Sequence, residues 1–193
     1  MIKIDSAVKF SFLFPADRQT AFHYYSDLYR LVSHLKYISI TDAGPDQEYR
    51  LYYNTVELGT YHIHVYADVR MVINPADFSI KLLPIKRDPP VETAVTLSAT
   101  TTRGYYTSQA FFHEAGEETR IEYQLTMRAR PPRPKGMRFM PKRMVDKIAQ
   151  NITNSRVKEI AQYFIQSSVD AFPTWRQERP TPFPSQAFLS AFD

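Results

Sequence analysis

The sequence predicts an α+β domain: an antiparallel sheet of about seven strands, covered by one long C-terminal helix. Three observations predict it. Several segments alternate apolar and polar residues with the period of a strand. Prolines fall at joints, with none between Pro15 and Pro45, Pro45 and Pro75, Pro90 and Pro131, or Pro141 and Pro173. After Pro141 comes a stretch of about 30 residues with helical periodicity.

The elements follow in order. Val8, Phe10, Phe12 and Phe14 alternate with other residues and form a first strand with one apolar face. Pro15 ends it, and Asp17 can cap a helix running to Leu35. On that helix Phe22, Tyr25, Leu28, Tyr29, Val32 and Leu35 recur at spacings of three and four, one buried stripe. Tyr37 to Thr41 is a short strand, and Ala43-Gly44-Pro45-Asp46 a turn. Glu48 to Val56 is the next strand. Thr60 to Ile73 then places Tyr61, Ile63, Val65, Ala67, Val69, Met71 and Ile73 on one face. His62, His64, Tyr66, Asp68 and Arg70 take the other, toward solvent. Phe78 to Ile85 is a strand with Pro84 near its end. Glu92 to Thr102 and Tyr105 to Glu114 read as a hairpin turning at Arg103-Gly104. Thr119 to Arg130 alternates most cleanly. Short loops make neighbouring strands antiparallel. In the last helix Met144, Val145, Ile148, Ile152, Ile160, Ala161, Phe164, Val169 and Phe172 give a broad apolar face, and Pro173 is expected to stop it. This gives a domain over 1–172 and a proline-rich tail over 173–193, from which Trp175, Phe183, Phe188, Leu189 and Phe192 can dock onto the body.

Composition narrows the function. The chain has 193 residues, no cysteine and five well-separated glycines. Phosphate loops and dinucleotide fingerprints need closely spaced glycines, and thiol chemistry needs cysteine, so neither is expected. No cofactor is expected. No run approaches the ~18 apolar residues of a membrane span. The opening MIKIDSAVKF lacks the basic-then-apolar pattern of a secretory leader, so a cytoplasmic protein is expected. The net charge of +4 is uneven: 128–143 carries seven cations and no acid, leaving −3 elsewhere.

The order of elements, and the opening FPADRQTAFHYYSDLYRLVSHLKYI in particular, resemble the START-like (SRPBCC) superfamily with its helix-grip fold. More narrowly, the chain resembles an uncharacterised START-like family of photosynthetic organisms. Val8–Pro15, Asp17–Leu35 and Met140–Phe172 sit where the fold has its first strand, first helix and gripping helix. The resemblance implies a curved sheet wrapped around that last helix, enclosing a cavity for a hydrophobic small molecule. The expected lining is Phe12, Tyr25, Tyr29, Tyr53, Tyr61, Ile63, Val65, Leu97, Gln109, Tyr123, Leu125, Met127, Ile148, Asn151 and Ile152. Among these, Tyr53, Gln109, Tyr123 and Asn151 are the polar groups suited to orienting a ligand. The competing reading is a core simply filled by aromatics, giving a protein-interaction domain.

Sharper chemistry is weakly signalled. His62 and His64 share a strand face but lack a third ligand nearby, so no metal is expected. No residue is nominated as catalytic, although START-like cyclases imply an enzymatic alternative. The basic connector mixes cations with Met137, Phe139 and Met140. Arg133, Lys135, Arg138, Phe139 and Lys142 are its candidates for contact with an anionic membrane. Nucleic acid is not expected, because stacking aromatics on an open face are not predicted.

Overall fold

The computed structural model describes residues 1–137 and 139–178. Arg138 and the tail residues Phe183, Phe188, Leu189 and Phe192 lie outside them. The strands are β1 (Ile4–Phe14), β2 (Ile38–Ala43), β3 (Glu48–Glu57), β4 (Tyr61–Asn74), β5 (Ser79–Pro84), β6 (Ala94–Val95), β7 (Ala99–Ala115) and β8 (Glu118–Ala129). They form one sheet in the order β1-β8-β7-β5-β4-β3-β2, with β6 added to β7. The helices are α1 (Arg18–Tyr25), α2 (Leu28–Ser33) and α3 (Lys142–Gln177). Sheet pairings are antiparallel except where β4 runs beside β7, His62 to Tyr66 against Ala99 to Arg103.

Asp17 caps α1 as expected, accepting from the Thr20 N–H at 3.0 Å. The single helix expected to run on to Leu35 is instead two. Asp27 is the reason. Its carboxylate accepts from the N–H groups of Tyr29 and Arg30 at 2.9 and 3.3 Å, so it starts a new helix instead of continuing the old one. Tyr29, expected inside the stripe, is 58% exposed as a result.

The hairpin expected at Arg103-Gly104 does not form. β7 runs straight through it for 17 residues, and Gly104 pairs with Ala129 of β8. Glycine serves close approach there: a Cβ would stand 2.8 Å from Val65 Cγ1. The helix stop expected at Pro173 is also absent, for α3 continues to Gln177. An interior proline costs about 3 kcal/mol. Aromatic packing around it offsets that cost. Phe172 is stacked on Trp175 (5.8 Å between centroids), and Trp175 meets the edge of Tyr24 at 5.1 Å.

The dense core lies at this end. Phe14, Tyr24, Tyr25 and Phe172 pack ring against ring at 4.7–5.4 Å. A buried polar network backs it. The Tyr24 hydroxyl donates to the Ser168 carbonyl at 2.9 Å and meets His34 Nε2 at 3.0 Å. Burial, reinforced by Arg30, holds the His34 imidazole below its usual pKa, and burial pushes Tyr24 up to about 12.

On the outer face, Asp68 is buried, contrary to the solvent-facing expectation. It pairs with Arg50 at 2.7 Å and Arg103 at 3.6 Å. Both arginines also donate to loop carbonyls, Arg50 to Pro89 and Arg103 to Ile85, and so fasten that loop over the sheet.

Replacing Gly104 by alanine should lower the unfolding free energy by about 1–3 kcal/mol in urea titrations, as overpacking does. Val65→Ala in the same chain should restore most of the loss. An unchanged midpoint for the single variant would mean that Val65 yields without cost.

Candidate functional site

Away from the aromatic end, the sheet and α3 separate. Between them lies a partly enclosed cavity of about 180 Å³. α3 contributes Ile152, Thr153, Arg156, Val157, Ile160, Ala161 and Phe164, a stripe at helical spacing. β4 contributes Ile63, Val65 and Ala67; β7 contributes Gly104, Tyr106, Ser108, Ala110 and Phe112; β8 contributes Ile121, Tyr123, Leu125 and Met127. α1 and α2 close one side with Tyr25, Leu28, Leu31 and Val32. Alternate residues of each strand face inward, and small residues at Ala67, Gly104, Ser108 and Ala110 leave the volume open.

Of the expected lining, Phe12, Tyr25, Tyr53, Ile63, Val65, Tyr123, Leu125, Met127 and Ile152 come together at this cavity. Six others do not reach it. Gln109 has the wrong strand parity: its neighbours Ser108 and Ala110 point inward. Asn151 is exposed, and Ile148 lies beyond the end of the stripe. Leu97 is 77% exposed in the turn between β6 and β7. Tyr29 turns outward with the second helix, and Tyr61 stands at the start of β4, before the lining begins.

Two polar features interrupt the apolar wall. The first is Arg156, whose Nε and Nη2 donate to the two Glu57 carboxylate oxygens at 2.6 and 3.3 Å. Its Nη1 donates to Glu159 at 2.5 Å. Glu57 first, then Glu159, holds the guanidinium charged. Arg156 also lines a second, more open recess of about 420 Å³ with Tyr37, Asn54, Thr55, Val56 and His62. It therefore stands between the two spaces. Nearby Tyr53 is pushed up to about 12, chiefly by burial and then by Glu57.

The second feature is half foreseen by the sequence, which names Tyr123 but not Tyr106. Tyr106 of β7 joins Tyr123 of β8, their hydroxyl oxygens 2.7 Å apart. Burial raises both phenols above their ordinary pKa, while Ser108 acts in the opposite direction on each. The available signal is the alternation Tyr106, Ser108, Ala110, Phe112, which the expectation of an inward Gln109 overrode. Among the described lining residues there is no carboxylate and no imidazole. The His62–His64 pair lies on the opposite face, with the Tyr52 hydroxyl 2.6 Å from His64 Nδ1. No group of three metal-ligating side chains occurs among the described residues.

Comparison with solved structures identifies the architecture. The chain superposes on the Zhui aromatase/cyclase from Streptomyces sp. R1128 with a TM-score of 0.54, at 11% identity over 91% of this chain and 96% of that one. The di-domain ARO/CYC StfQ from the steffimycin biosynthetic pathway gives 0.52, also at 11% identity over 91% of this chain, which spans 52% of that longer one. The fold is the helix grip. Human STARD10 is a looser likeness, with a TM-score of 0.47 at 16% identity over 90% of this chain and 66% of that one. No protein-family model and no curated protein matches the chain, so the narrower resemblance to a family of photosynthetic organisms has no support.

Proposed function

We propose that this helix-grip domain binds a hydrophobic small molecule, a lipid or pigment-related compound, in the cavity between α3 and the sheet. One observation carries the reading: about 180 Å³ of space is walled almost wholly by apolar side chains. By the ~24 cal/mol per Å³ measured for closed cavities in protein cores, leaving it empty costs at most on the order of 4 kcal/mol. That is a large fraction of a typical domain stability of roughly 5–15 kcal/mol. A bound apolar guest recovers much of it. A closed cavity of ~150 Å³ admits benzene, and this larger one is only partly enclosed, so a longer guest can extend from it. The likeness to two aromatase/cyclases supports a small-molecule guest. The lining favours binding, transport or sensing over acid–base catalysis, because no described lining group titrates near neutral pH by its ordinary pKa. No helix among the described residues is long and apolar enough to cross a membrane. The reading assumes a cytoplasmic protein.

The reading includes docking on an anionic membrane through the basic connector. Its support is local. Phe139 is 99% exposed, and Met144 in the first turn of α3 is half exposed. Arg128 pairs with Asp5 and Lys142 with Asp146, while Arg133 donates to the Met140 carbonyl. Arg130, Lys135 and Arg143 make no ion pair among the described residues. The connector leaves β8 directly after Ala129, a residue of the cavity wall, so a docked connector would bring the cavity to the bilayer. Each cation near such a surface contributes about 1 kcal/mol.

N-phenyl-1-naphthylamine, a neutral apolar dye, should bind saturably with a rise in fluorescence. Ala110→Phe, which fills the space opposite Tyr123, should weaken it by about tenfold or more, and Ala67→Phe should do the same from the β4 side. Absence of saturable binding to the wild type would remove the reading.

Co-sedimentation with phosphatidylserine-containing vesicles should fall with salt. It should fall again when Arg133, Lys135, Arg138 and Lys142 are replaced by alanine, or Phe139 by serine. Binding that is equal on purely phosphatidylcholine vesicles would contradict the docking.

A further inference from the structure

The Tyr106–Tyr123 pair is the polar spot in the apolar part of the cavity, remote in chemistry from the saturated Arg156. Tyr106 lies opposite Met127 in the ladder, Ser108 opposite Leu125, and Ala110 opposite Tyr123. All six are on the inward face. The two phenols therefore lean toward one another along neighbouring strands and meet above the Ser108–Leu125 row. The Phe10 ring stands 4.9 Å from that of Tyr123, and Phe164 of α3 faces it at 6.3 Å.

Proton counting then decides what the pair can do. The 2.7 Å contact holds one proton, so the second phenol has its own left to place. Ser108 is within reach of both phenols, so the three hydroxyls can close a ring that uses each proton once, and a ligand carbonyl opens that ring by accepting from one phenol. Backbone carbonyls along this stretch are engaged in the β7–β8 ladder. A buried O–H without an acceptor is costly. Both phenols remain neutral donors at ordinary pH, because burial raises their pKa. No cation is available to balance an anionic ligand, since the Arg156 guanidinium is already bound to Glu57 and Glu159. The group that fits is a neutral acceptor.

We propose that the Tyr106–Tyr123 hydroxyl pair is the anchor of the cavity and selects neutral, apolar ligands that carry a carbonyl oxygen. This rests on the cavity-binding reading and names the ligand class within it.

The test compares 2-acetylnaphthalene with 2-isopropylnaphthalene, which has the same shape without the carbonyl. Calorimetric titration of the wild type should show the ketone binding roughly three- to tenfold more tightly. The double variant Tyr106→Phe/Tyr123→Phe, chosen because a single change would leave the other phenol unpaired, should bind the two compounds equally. Its affinity for 2-isopropylnaphthalene should match the wild type, which also reports that it is folded. The infrared carbonyl stretch of the ketone bound to the wild type should lie below its position in alkane. In the double variant it should return to that position. Equal binding of the two compounds by the wild type, or a bound stretch at the alkane position, overturns the anchor and leaves the cavity reading standing. Binding of neither compound overturns both. Should the double variant fail to fold, the wild-type stretch alone decides.

Discussion

The clamp on the C-terminal end of α3 is the interaction on which the rest depends. Phe172, Tyr24, Tyr25 and Phe14 interlock at 4.7–5.4 Å and fix the helix against β1 and the short helices. Such ring pairs contribute roughly 0.5–1.5 kcal/mol each beyond the area they bury. Polar ties hold the other half of the helix, including one from the Ser6 hydroxyl to Asn154. Gln150 exchanges hydrogen bonds with the backbone of Asp5, and Arg156 grips Glu57 on β3. A helix clamped at one end by aromatic rings and seated near the other by the buried Val145 and these polar ties can bridge the sheet between those points. The span from Ile152 to Phe164 therefore faces a gap.

The side chains beneath that span keep the gap open. β4 and β7 place Ala67, Gly104, Ser108 and Ala110 where larger residues would meet α3. Gly104 has a second task, because β7 approaches Val65 of β4 too closely for any Cβ. The same choice of small residues thus permits the parallel β4–β7 contact and empties the centre of the domain. Large aromatics appear at the margins, where they wall the space without filling it. Tyr106 and Tyr123 are the exception in character, since their hydroxyls give an otherwise oily wall a direction.

Much of this was legible in the sequence, because alternation and helical periodicity are local signals. The strands from Glu48, Thr60 and Thr119 were read within a residue or two of where they lie, and Asp17 caps α1 as its position implies. The errors share a physical cause: each residue was judged by local propensity where tertiary contact decided. Gly104 looked like a turn and is a close approach. Pro173 looked like a stop and is held in the helix by Phe172 and Trp175. Asp27 looked like one more helix residue and is a cap. At the site, one strand parity separated Gln109 from its inward neighbours, and one helix position separated Asn151 from Ile152. The phenol pair needs one step beyond alternation: the two-residue turn at Gly116-Glu117 sets the β7–β8 register and leaves Tyr106 and Tyr123 two inward rows apart.

The central claim is that the space between α3 and the sheet is real and apolar. Diffraction from a crystal pressurised with xenon tests it most directly, because dry apolar cavities take up the gas. The account predicts xenon density bounded by Val65, Tyr106, Leu125 and Phe164. Side chains meeting across that position, with no xenon between them, would contradict it.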